Sequence, residues 1–250
     1  MTDVRQSAAR RRAIRILATI MATAAIAFGV VTMVIGIVVP EQAPHAFHNV
    51  MVATLLLVLS APPAILVARW PDDPDDSLVI LAAVGVAAIA TMALSLTLDP
   101  FTLPFVVGIG VIWGLRRPGS PWRKPGSPSL VLGLLALAAA GPMIAYALGQ
   151  AELQRVDHAS EHAAFFHWVE SSFIAVACLL LAILTAFRPG IYRLAGFMAG
   201  AAMVILGGAS TLLGAYASAF DGAWAWAAIG WGLAIVLLTA WEAGRSARSS

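Results

Sequence analysis

The chain has 250 residues, of which 60% are hydrophobic and 11% charged, with a formal net charge of +2. Soluble domains carry about a quarter charged residues, so this composition excludes a water-soluble globule and predicts an all-α, polytopic membrane bundle. The basic surplus gathers at the ends of apolar runs, which reads as membrane topology rather than nucleic-acid binding, and the lone Cys178 excludes an intrachain disulfide and cysteine-based metal frameworks.

In chain order, Arg10, Arg11, Arg12 and Arg15 precede an apolar run at 16–39. That run is longer than a signal-peptide core and reads as a retained first helix. Further spans are expected at 47–69, 78–98, 101–115, 130–149, 163–187, 193–216 and 223–242, within a single transmembrane domain over 1–250. Most of these runs match the roughly 20 residues needed to cross a hydrocarbon core. The fourth is short and contains Pro104; a re-entrant hairpin is its alternative. Charge decides the matter, because Lys and Arg collect in cytoplasmic loops. With eight spans and both termini cytoplasmic, Arg5 to Arg15, Arg69, Arg116, Arg117, Arg123, Lys124, Arg188, Arg193, Arg245 and Arg248 all fall inside, leaving only Arg155 outside.

Between the spans, the acidic turn from Trp70 to Asp76 reads as a solvated connection, and the segment from Arg116 to Ser129 as a cytoplasmic loop near anionic headgroups. Gly196 and Gly200 form a G-x-x-x-G, extended by Gly207 and Gly214, of the kind that brings helix backbones together in lipid. Trp113, Trp122, Trp168, Trp224, Trp226 and Trp241 lie near span ends, where amphipathic rings favour the interface.

The orientation places every histidine, His45, His48, His158, His162 and His167, at the extracytoplasmic face of the cell membrane. In Asp157-His158-Ala159-Ser160-Glu161-His162 a continuous helix would stack His158 and His162 one turn apart, with Glu161 beside them. Two such imidazoles ligate one ion, and imidazole suits zinc, copper, iron and nickel. His45 and His48 would supply the remaining ligands, while His167 would point nearly opposite to His158 unless the helix bends. Glu170, a carboxylate inside a span, marks a functional position. With His167 three residues earlier it forms a candidate pair, and with Asp157 and His167 it is assigned a supporting or proton-handling role.

The segment His45-x-x-His48 with Leu55-Leu56-Leu57 and Ala61-Pro62-Pro63 is similar to the histidine–leucine–proline segment of the membrane cytochrome-oxidase copper-assembly family, although the histidine spacing departs from that pattern. The His158-x-x-x-His162 spacing also resembles the zinc-site element of the multi-helix receptor–ceramidase hydrolases, whose Ser and Asp partners have no counterpart here. No nucleotide loop or serine-nucleophile motif is present. The sequence therefore predicts a copper or zinc site serving metal handling, cofactor assembly or a membrane redox complex. Two alternatives stay open: a b-type haem held by His48 with His162 or His167, and an accessory subunit without cofactor. The expected partners are the lipid bilayer and other membrane subunits or a second copy, with no nucleic acid.

Overall fold

The structure, a computed structural model, describes residues 2–39, 45–116, 128–189, 191–214 and 218–248, with side chains from 8 to 245 within those ranges. The side chains of Arg5 and Arg248, and Arg117, Trp122, Arg123 and Lys124, lie outside the described residues. The described residues are helical, without strands: α1 (Thr2–Val38), α2 (Ala46–Thr54), α3 (Ala61–Arg69), α4 (Asp75–Ser95), α5 (Leu103–Leu115), α6 (Leu130–Val156), the single turn α7 (Glu161–Ala164), α8 (His167–Phe187), α9 (Arg193–Leu212) and α10 (Gly222–Arg248). A π turn over Leu55–Ser60 joins α2 to α3. Its cause is local. Pro62 and Pro63 bring no N–H and their rings crowd the preceding carbonyls, so the helix widens. The Ala61 N–H then reaches back to the Leu56 carbonyl, and the Ser60 hydroxyl donates to the Leu55 carbonyl at 2.9 Å.

Seven helices are long and apolar enough to cross a membrane, counting α2, the π turn and α3 as one. Their outward faces carry Ile26, Phe28 and Val30 on α1, and Leu134, Leu137 and Ile144 on α6, all exposed. Contiguous apolar surface of that kind is rare on soluble monomers and is what lipid requires. The helix α8 lies at the centre, with 78% of its apolar window buried against 22% for α1, and packs on α2, α4, α6 and α9.

The 13 residues of α5 rise only about 20 Å, short of the roughly 30 Å hydrocarbon core. Its ends nevertheless lie at opposite ends of the bundle. Phe101, just before it, meets the ring of Phe166 at 6.3 Å, whereas Arg116, at its far end, approaches Asp75 at 3.8 Å, beside the start of α4. The non-helical stretch from Leu96 to Thr102 makes up the length. Leu96 turns the chain out of α4 with φ 53°, and the buried Asp99 carboxylate accepts from the Phe101 N–H at 2.8 Å and from the Thr102 hydroxyl.

The two ends differ in chemistry. One joins Arg11 to Asp72 at 3.1 Å, Arg116 to Asp75, and Ser129 to Glu242 at 2.8 Å. The other gathers histidines. Between them α9 and α10 pack backbone on backbone: a Cβ on Gly200 would stand 2.6 Å from the Gly232 carbonyl, and one on Gly207 2.6 Å from that of Ala225. Gly214 falls beyond the end of α9 and takes no part in this seam.

Candidate metal centre

The histidine end is built from the start of α2 and the connection from α6 through α7 to α8. His45 stands immediately before α2, and His48 one turn in. Across from them α6 stops at Val156, and Asp157 organises the turn that follows. Its carboxylate accepts from the Ser160 N–H at 3.1 Å, from the Ser160 hydroxyl and from the Trp168 indole at 3.4 Å. These bonds, the Ser160 hydroxyl's first, hold the Asp157 carboxyl below the usual carboxylate range. Ser160 then caps α7 by accepting from the Ala163 N–H at 3.3 Å, the preferred role of a serine at that position. Gln154 fastens the turn to α6 by donating to the Ala163 carbonyl at 3.0 Å.

Between α7 and α8 the chain passes through Phe166 at φ 63°, a left-handed conformation that costs a non-glycine residue about 1–3 kcal/mol. The consequence is direct. In one unbroken helix His162 and His167 would diverge by about 140°; across this break their Nδ1 atoms lie 3.0 Å apart. The His45 ring stands 5.6 Å from that of His162 and 5.4 Å from that of His167. One ring nitrogen from each of His45, His162 and His167 falls within 4.8 Å of the others, a grouping able to hold a metal ion.

Each imidazole has a neighbour that sets its surroundings. Glu161 Oε2 lies 3.3 Å from His45 Nε2, while His45 Nδ1 is buried without a protein partner. His48 stacks on His167 with ring centroids 3.2 Å apart and planes at 22°. Its Nε2 lies 3.2 Å from Glu170 Oε2, but the pair is not aligned as a hydrogen bond, and that oxygen is buried without a hydrogen-bond partner. Burial holds His162 below the ordinary histidine value, helped by the neighbouring His45 and opposed by Asp157 and Glu161. A neutral ring is the ligating form.

These placements revise the expectations from sequence. His158 and His162 do not share a helix face, because 157–160 is not helical, and His158 is exposed outside the three-histidine grouping. His167 turns inward, since the helix breaks at Phe166. Glu170 approaches His48 across the helix interface rather than His167 on its own helix. Trp168 is buried and tied to Asp157, whereas Trp224, Trp226 and Trp241 are exposed as interfacial rings are. Asp99 has no place among the residues expected from sequence, yet it is buried at this end of the bundle, two residues before the Phe101 ring that meets Phe166; an acid beside a span boundary was the available signal.

Three imidazoles converging from separate helical segments, with carboxylates behind them, provide nitrogen donors and an open position for water or substrate. Thiolate is absent from the grouping, since Cys178 lies further along α8, about three turns from His167. Comparison with known proteins finds no matching family model, curated protein or solved structure.

Proposed function

We propose that this chain is an eight-span membrane protein of the cell membrane, with cytoplasmic termini, whose His45, His162 and His167 bind copper or zinc at the extracytoplasmic face. In this reading it acts in metal handling, in cofactor assembly or as a subunit of a membrane redox complex. The carrying observation is the convergence of one ring nitrogen from each of these residues within 4.8 Å, from segments more than a hundred positions apart in sequence. The donor set favours an ion that accepts imidazole alone. A haem held by His48 and His167 fits less well. Metal–imidazole bonds are about 2 Å long and directed at the ring edge, so axial rings sit on opposite sides of the macrocycle, whereas these two lie face to face at 3.2 Å.

The test is metal content. Full-length protein purified in detergent should carry copper or zinc, and His162→Ala/His167→Ala protein of unchanged size-exclusion profile should lose the ion that these residues hold. Equal metal in both would overturn the reading, and a Soret band in the wild type would replace the ion with haem.

A further inference from the structure

Beneath the three-histidine grouping, α2 and α8 bury a second set of polar atoms. Glu170 is 8% exposed and Asp99 1% exposed. Among the described residues Glu170 is not paired with a lysine or arginine; its ion-pair neighbour is His48. A buried carboxylate without a cation is unstable as an anion. Something positive must join it, a proton or a metal ion.

The geometry at Glu170 bears on which. Its Oε2 stands 3.2 Å from His48 Nε2 without hydrogen-bond alignment. Ligands bound to one ion at about 2.0–2.2 Å have neighbouring atoms about 3.0–3.5 Å apart. The pair therefore has the separation of adjacent ligands on an ion, and lacks the alignment of a hydrogen bond. His48 Nδ1 is also buried without a partner, and would carry the ring's proton on the side away from the ion.

We infer that His48 and Glu170 form a second divalent-cation site next to the first, so that this end of the bundle holds a pair of metal ions. The stacking of His48 on His167 puts one residue of each site in direct contact. The sites differ in charge. The first ion's ligands carry no charge of their own and its nearest carboxylate, Glu161, is exposed, whereas the buried Glu170 is itself a ligand of the second. The inner site accordingly prefers a divalent ion, and the outer one also tolerates a monovalent soft ion such as cuprous copper.

The inference rests on the reading of the three histidines as a metal site, and stoichiometry separates the two. Full-length protein stripped with chelator is titrated with zinc alone, and bound zinc per chain is measured by equilibrium dialysis. The wild type should bind a pair of ions. Glu170→Gln, which keeps the side-chain shape, should bind one, as should His48→Ala from the opposite helix. His162→Ala should also leave one, this time at the inner site. A wild type that binds a single zinc, unaffected by Glu170→Gln but lost in His162→Ala, would overturn the second site and leave the first standing. A wild type that binds none would overturn both.

Discussion

At the scale of single residues, the centre depends on the surroundings of each imidazole. His162 is the informative case. Burial and the nearby His45 hold it below the ordinary value of 6.5, so the folded protein takes up this proton less readily than the unfolded chain. The sign follows: the contribution is fully present above about 6.5 and is lost as pH falls toward the folded value. NMR of the ring protons in chelator-stripped protein should place the His162 midpoint below 6.5, and a midpoint at or above 6.5 would contradict the burial argument. Glu161 acts differently. It is exposed, yet its Oε2 lies 3.3 Å from His45 Nε2, where a carboxylate orients a ligating ring through its other nitrogen. Loss of such a partner lowers metal affinity about 10- to 100-fold, and the exposure of Glu161 puts Glu161→Gln near the lower figure. Competition against a chromogenic chelator measures it, and unchanged affinity would show that His45 is held by packing alone.

At the scale of elements, the helices were legible in the sequence and the breaks between them were not. Apolar runs of membrane length announce themselves by composition, and the G-x-x-x-G of α9 announces close packing. The α9–α10 seam has a testable energetic consequence. Gly200→Ala would place a Cβ 2.6 Å from the Gly232 carbonyl, and overpacking of this kind costs about 1–3 kcal/mol. Gly149→Ala on α6 meets nothing within 4 Å and gains helix propensity instead. Thermal melts in detergent should show a lowered midpoint for the first and an unchanged or raised one for the second; equal midpoints would mean the seam is looser than described. The site was read less well for a reason of the same kind. Histidine spacing was interpreted along one continuous helix, but Asp157 and Ser160 divert the chain before His162, and Phe166 turns it again before His167. Asp and Ser are usual turn formers, so the first break had a signal. A phenylalanine with positive φ has none, because only its surroundings hold it there, including the Phe101 ring from a segment far away in sequence.

At the scale of the whole molecule, the histidine centre and the topology constrain each other. His45 follows one crossing from the N-terminus, and His162 follows every element through α6, yet Glu161 and His45 meet at 3.3 Å. The chain must therefore cross an even number of times between them. The α2–α3 unit, α4 and α6 are three candidate passages, and in the eight-span arrangement proposed above α5 is the fourth despite its 13 residues. The pairing of Arg116 with Asp75 at the opposite end agrees with that passage, which the sequence supported only through its basic cluster. A membrane thinned locally around α5, or water reaching the Leu96–Thr102 corner, accommodates the short helix at modest cost. Cysteine labelling tests the arrangement cleanly, because Cys178 is buried and replaceable by serine. In that background Ala8→Cys and Ala159→Cys probe exposed positions at the two ends. A membrane-impermeant maleimide should label Ala159→Cys in intact cells and Ala8→Cys only after permeabilisation. The reverse pattern would invert the bundle and put the metal centre on the cytoplasmic face. Labelling of both from one side would mean that α5 does not cross, and the meeting of His45 with His162 could not then occur within a single chain.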